Sequence, residues 1–292
     1  MTAEILLPAL IAALAGTLAT ATHRQLRPPT GARLLAVTIV AVVAAVLPAI
    51  MVLALGYVAH LPFFGGAMAW CREALGLHHR IPAWLGVPAA AAVVIGLVRL
   101  GRVRRSWQRF HCARSAGIEV VPSAELFAYT MPGAGGHIVV STGLVDRLDE
   151  REFAVVVAHE QAHARHRHDR YVLLGSAAVA VLPALAPLQR RLRFALERWA
   201  DETAVAELDV DRHVVAHTLA AVALSGAQVP VGAVGIVGLG VAGRVSALLE
   251  PPAACRSPLW LLLGAAGVFA VLGAAVVQAH HVLPLVASLC PG

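Results

Sequence analysis

The 292-residue chain contains no lysine; all 23 of its basic residues are arginine. That excludes a Schiff-base lysine, a lysine general base and the lysine of a phosphate-binding loop, each of which needs an ammonium group. Charge of either sign is scarce at 14%, and four cysteines in this length are too few for a disulfide-built secreted scaffold. Soluble domains hold about 45–50% apolar and about 25% charged residues. At 59% hydrophobic, with mean hydropathy +0.74, this chain is neither disordered nor an ordinary soluble protein. It reads as an integral membrane protein.

Four apolar stretches, residues 3–21, 34–59, 81–98 and 258–279, are each close to or above the roughly 18–20 residues that cross about 30 Å of hydrocarbon as a helix. All are nearly free of charge, as the cost of a central charge, at least ~2.5 kcal/mol, requires. The first is a poor signal peptide, because Glu4 precedes its apolar run and no basic residue does. Arg24, Arg27 and Arg33 crowd the first loop, and Arg99, Arg102, Arg104, Arg105 and Arg109 follow the third span. The positive-inside rule therefore predicts a plasma (inner) membrane protein with the first and third loops cytoplasmic and both termini outside. Cys71 and Cys290 then share the oxidising side, so a disulfide between them is one expectation and two unrelated small residues the other. The formal charge of +6 is concentrated at membrane edges; residues 101–257 are nearly balanced, which suits anionic headgroups and argues against direct nucleic-acid binding.

The expected organisation is three spans within residues 1–100, a cytoplasmic domain over 101–257, a fourth span at 258–279 and a short external tail at 280–292. Chemistry belongs in the polar segment. Short apolar runs at Ile118–Val121, Leu126–Thr130 and His137–Thr142, separated by proline and glycine, predict a small sheet. The run at His137–Thr142 is expected at an exposed edge able to add a peptide strand, against the alternative of an internal strand. Asp149 and Glu152 form a capping-box pattern for a helix starting near Glu150.

That helix carries His159-Glu160-x-x-His163, the H-E-x-x-H pattern of zinc hydrolases. The two histidines are one turn apart, so both imidazoles leave one helix face toward a single ion. Glu160 follows the first ligand and is placed to take a proton from water that zinc has acidified to a pKa of about 7. A catalytic zinc site needs a third protein ligand and an open position. Glu197 is the candidate, and Asp201, one turn on, is placed to accept the other ring N–H of a ligating histidine. Glu202 and Glu207 are weaker candidates, lacking an acidic partner one turn later.

These motifs resemble the gluzincin arrangement of His, His and Glu around one Zn²⁺ per chain. With the words at Ala128–Gly133, Ile138–Leu144, Glu197–Asp201 and Arg244–Pro252, the chain resembles the BlaR/MecR-type membrane metallopeptidases over about residues 1–280. The resemblance implies a mainly α, integral-membrane fold, four transmembrane helices with a cytoplasmic α+β zincin-like domain between spans three and four. It also implies a zinc metalloendopeptidase that cleaves a protein or peptide substrate, such as a transcriptional repressor, in antirepressor signalling. One departure stands out: no penicillin-binding sensor follows the fourth span and no Ser-x-x-Lys exists, so sensing would need a separate partner. The alternatives are a membrane quality-control or processing protease of the HtpX or CAAX kind, and a non-catalytic regulator with a relic metal site.

The remaining polar residues invite further readings. His166 and His168, alternating with Arg165 and Arg167, read as a solvated face. His213 and His217, one turn apart, are candidate donors to a developing oxyanion, against an ordinary helix surface. Trp199 reads as a packing residue. Residues 171–188 are apolar enough to span, but spanning would part Glu197 from His163. The stretch is therefore expected to fold back or to lie between the ligand helices, broken at Pro183 and Pro187. Residues 229–249, rich in glycine, make a poor helix and are expected to form a flap, a surface loop or a plain linker.

Overall fold

A computed structural model describes residues 26–63, 81–110, 117–132, 136–224 and 240–250, with isolated helical positions at Gly16 and between 262 and 273. The first and fourth expected spans lie almost wholly outside these residues, and the Cys71–Cys290 pair and the external tail lie wholly outside them.

Helix α1 (Pro28–Val58) begins on two prolines, which the first turn tolerates because its N–H groups have no partner to lose. Helix α2 (Ala83–Phe110) starts in the third apolar stretch and continues unbroken through the arginine-rich tail. Among the described residues these two helices are long and apolar enough to cross a membrane. Near their far ends they touch closely, since a methyl group at Gly86 would overlap the ring of Tyr57.

Strands β1 (Gly117–Val121), β2 (Ala128–Thr130) and β3 (His137–Ser141) form one sheet in the order β1-β3-β2. β3 runs parallel to β1 and antiparallel to β2, with Ile138 opposite both Ile118 and Thr130. β3 is therefore the central strand and not the expected exposed edge. Its residues explain why: Ile138, Val139 and Val140 are all buried, which only a strand flanked on both sides achieves here. Ser141 then caps α3 (Thr142–Arg147) by accepting from the Leu144 N–H at 3.2 Å. Gly143 is needed in that turn, because a Cβ there would stand 2.7 Å from the Ala124 carbonyl oxygen.

Helix α4 (Glu150–Arg165) opens with the capping box that the sequence announces, Asp149 and Glu152 each accepting from the other's backbone N–H. It ends at Arg165, and two residues on the left-handed backbone of Arg167 (φ 53°) turns the chain sharply into α5 (His168–Val181). Pro183 opens a 3₁₀ turn and Pro187 sits in the first turn of α6 (Ala186–Leu208), so residues 171–188 fold back as a helical hairpin. α5 lies against α2, α6 and α1, while α4 and α6 pack directly on each other. Helix α7 (Arg212–Leu224) and then α8 (Val241–Leu249) follow.

Two apolar clusters result. One joins α1, α5 and α6 through Leu35, Ile39, Val172, Leu192 and Leu196. The other joins the sheet to α4, α7 and α8 through Val140, Leu144, Val156, Leu219 and Leu248. Where α4 and α6 meet between them, the interior turns polar.

Candidate metal centre

α4 supplies His159 and His163 one turn apart, and α6 supplies Glu197 and Asp201 one turn apart. The helices cross so that these two pairs face each other. His159 and His163 are 1% and 2% exposed and Glu197 6% exposed, and one ligand atom from each lies within 4.8 Å of the others. His159 Nε2 is 3.1 Å from His163 Nε2 and 3.5 Å from Glu197 Oε2, and His163 Nε2 is 3.8 Å from Glu197 Oε1. Ligand bonds of about 2.0–2.1 Å in tetrahedral array set neighbouring donors about 3.3–3.5 Å apart. The three donors converge at that spacing, and two neutral imidazole nitrogens facing each other at 3.1 Å need a cation or a proton between them. The donor set fits zinc.

Around the donors is a network that fixes them. His159 Nδ1 is 3.0 Å from Asp201 Oδ1, so with its N–H directed there the ring presents Nε2 to the centre. Arg244, fully buried, donates from Nε to Asp201 Oδ2 at 2.8 Å and from a terminal nitrogen to Oδ1 at 2.6 Å. Its other terminal nitrogen is 3.0 Å from Glu197 Oε2. One guanidinium thus clamps the candidate third ligand and the residue that orients the first. His163 Nδ1 meets His168 Nδ1 at 2.8 Å. For His163 to present Nε2 to a metal its Nδ1 carries the proton, so His168 accepts. Glu160 is fully buried, and the Thr130 hydroxyl on β2 lies 2.7 Å from its backbone carbonyl and 2.8 Å from Oε2. The carboxylate is the stronger acceptor for that single proton.

The electrostatics follow from burial set against these partners. Burial disfavours a charged His159, but Asp201 and Glu197 more than reverse it and raise the ring to about 9. His163 is held well below the usual histidine range by burial, which Glu197 does not overcome. His168 falls to about 3 through burial and its neighbouring histidines. Burial opposes the charge on Glu197 and Asp201, but Arg244 and the neighbouring histidines together overcome it and hold both below the usual carboxylate range. Without metal, a proton on His159 stands in the cation's place.

The structure brings together His159, Glu160, His163, Glu197 and Asp201. It leaves the other candidates outside. Glu202 pairs with Arg212 at 2.7 Å and Glu207 with Arg165. His213 binds Asp211 at 2.7 Å and His217 lies 3.5 Å from Glu152, both on exposed surface and turned to those partners. His168 departs from the solvated face read from sequence. The left-handed Arg167 swings it under His163, where it is fully buried, whereas His166 stacks on Trp199 at 4.7 Å. Trp199 is a buried packing residue whose ring also lies 5.3 Å from the Arg33 guanidinium of α1.

Three residues of the site carried no role in the sequence reading. Thr130 sits in a run recognised only as a strand. His168 was masked by its arginine neighbours. Arg244 lies in the glycine-rich stretch expected to be a flap, yet residues 241–249 form a helix, started by a left-handed Gly240 (φ 65°). Arg212 binds that helix's final carbonyls, Leu248 at 2.9 Å and Ala247 at 2.7 Å. The rest of the glycine-rich stretch, residues 229–239, lies outside the described residues.

Comparison with known proteins bears on the same segment. Residues 105–229, which include α4, α5 and α6, match peptidase family M48. Over 73 residues the chain is 36% identical to a protein named "Protease HtpX homolog" from Listeria innocua serovar 6a. That match spans 25% of this chain and 24% of the relative, so the chain covers about a quarter of the curated relative's length. No solved structure matches. The segment matched to that family carries His159, His163, Glu197 and Asp201, so the likeness and the buried histidine–carboxylate group fall on the same residues.

Proposed function

We propose that this chain is a membrane-embedded zinc metalloendopeptidase that hydrolyses peptide bonds of protein substrates. The observation that carries the reading is the convergence of His159, His163 and Glu197 donors within 4.8 Å, with Glu160 adjacent and every supporting charge paired. His159, His163 and Glu197 would hold one Zn²⁺, which when bound supplies Lewis acidity that activates water and polarises a peptide carbonyl. The protein's own groups do the rest. Asp201 and His168 fix the two imidazole orientations, Arg244 holds Glu197 and Asp201 in place, and Thr130 aims the Glu160 carboxylate. Glu160 takes a proton from the attacking water and returns it to the leaving amine, as general base and then acid.

Of the biological roles, one of the HtpX kind, such as membrane quality control, is compatible with the name of the curated relative. Antirepressor proteolysis rests on the sequence words alone. Both place the catalytic domain on the cytoplasmic side of a multi-pass protein, with the bilayer and a protein substrate as partners. Purified protein should hold one zinc per chain, and Glu160→Gln should keep the metal and lose cleavage of an unfolded protein substrate. Metal-free wild type, or full activity of the variant, overturns the proposal. Proteomics of the variant strain separates the roles: many misfolded membrane proteins accumulate in the first, one intact repressor in the second.

A further inference from the structure

The α5–α6 hairpin has a depth that the two candidate membrane helices measure. A Cβ at Gly96 of α2 would stand 3.5 Å from the Val181 Cα at the end of α5. Gly96 is itself buried at that contact, while its neighbours along α2, Val94, Ile95, Leu97 and Val98, are each at least half exposed. Arg99 is the first charge on the chain after Arg80. The hairpin tip is therefore level with the last apolar turn of a candidate span. α1 gives the same level independently. Its buried residues stop at Ala45 and resume at Ala54, near the Tyr57–Gly86 contact. Counted from that contact at 1.5 Å per residue, Ala45 lies about 18 Å and Gly96 about 15 Å along their helices. Cover by α5 and α6 ends where the apolar surface of α2 begins. The tip itself suits that level, with Pro183, Ala184 and Pro187 exposed and uncharged and Arg190 exposed one turn behind them.

We propose that the tip of this hairpin, residues 182–187, is seated in the surface of the lipid bilayer, its apolar turn at the hydrocarbon boundary and Arg190 among the headgroups. The hairpin then acts as a spacer. From Val181 to His168 along α5, and from Ala186 to Glu197 along α6, the rise is about 20 Å and about 17 Å. The metal centre is held at that height outside the hydrocarbon. Resting on the peptidase reading, this defines a substrate class: protein segments exposed outside the bilayer. A membrane-anchored substrate would need about five or six extended residues, at about 3.3 Å each, between the bilayer and the scissile bond.

Two exposed alanines at opposite ends of the hairpin and of α6 provide the test. Ala184→Cys and Ala206→Cys are each introduced into the full chain with its four native cysteines changed to serine, labelled with an environment-sensitive fluorophore and reconstituted in vesicles containing shallow nitroxide-labelled lipid. The expected result is strong quenching at 184 by the lipid-borne nitroxide and little by aqueous iodide, with the reverse at 206. Equal iodide quenching at both positions overturns the proposal. If the cysteine-free chain does not fold, tryptophan at 184 or 206 in the native chain, read against the parent with brominated lipid, gives the same two outcomes. Neither measurement depends on catalysis, so loss of the peptidase reading would leave the depth result standing.

Discussion

Helix α6 has two faces that do opposite work. Toward α1 it presents Leu188, Leu192, Leu196 and Trp199, which fill an apolar cluster. Toward α4 it presents Glu197 and Asp201, buried beside two histidines and an arginine. The first face stabilises by removing hydrocarbon from water and depends little on detail beyond shape. The second carries ionised groups whose desolvation is offset only while every partner is present. The apolar face thus fixes where α6 sits, and the polar face uses that placement, at a cost in stability, to assemble a cation site. Losses on the first face should be indifferent to metal. Those on the second should depend on it.

The largest effect should come from Glu160, which the fold buries without needing it for packing. Glu160→Gln is expected to lower kcat by about 10²–10⁴-fold, the usual range for a positioned general base, while zinc content stays at one per chain. Loss of zinc along with rate would mean that Glu160 holds the site together instead of serving the reaction.

The comparison between the faces is sharpest with Arg244→Met and Leu192→Ala. Removing Arg244 leaves Asp201 and Glu197 buried without their cation, a change that typically costs about 3–5 kcal/mol. Added zinc should recover much of that loss, because the ion replaces positive charge beside Glu197. Leu192→Ala should cost about 2–5 kcal/mol through a cavity, and zinc should leave the deficit unchanged. Thermal unfolding of both variants with and without zinc measures the difference. Equal zinc rescue of the two would erase the distinction.

Substitution of His168 should be milder. His168→Phe keeps an aromatic ring beside Trp199 but removes the acceptor for His163 Nδ1. Loss of such a partner to a metal-ligating histidine usually weakens metal affinity by 10–100-fold. Competition with a zinc chelator reads the change directly. His168→Asn, which retains an acceptor oxygen, should recover part of the affinity; if both variants bind zinc as tightly as wild type, His168 has only a packing role.

Why some of this was legible in sequence and some was not follows from range. The α4 cap, the pairs His159/His163 and Glu197/Asp201, and the break at Pro183 are encoded within one or two turns, so helical spacing suffices to find them. The internal position of β3 depends on where β1 and β2 pair. Its run of buried residues fits a central strand, but the strand is short enough to read either way. His168 enters the site only through the left-handed turn at Arg167, a conformation unusual for a non-glycine residue and invisible in an alternating Arg-His pattern. Arg244 is 43 positions from Asp201 and emerges from a glycine-rich stretch. Its place at the head of the word Arg244–Pro252 marked it for resemblance but gave it no role; the deficit of buried positive charge around Glu197 and Asp201 was the signal for that role.

The smallest predicted effect concerns protons. In the metal-free chain His159 is raised to about 9, His163 is well below the usual histidine range and Glu197 is ionised. At pH 7 a single proton, on His159, must therefore leave when zinc binds. Affinity should rise about tenfold per pH unit between pH 6.5 and 8.5 and level off above about 9, since metal and proton compete for one nitrogen. Stability of the metal-free chain should run the other way. A group raised above its unfolded value stabilises most below about 6.5 and loses that contribution as pH climbs through about 9. Calorimetric titration with zinc in buffers of different ionisation enthalpy counts the released protons. A count near two at pH 7 would mean that both imidazoles are charged before zinc arrives, and the polar face of α6 would then carry one more uncompensated cation than its carboxylates can hold.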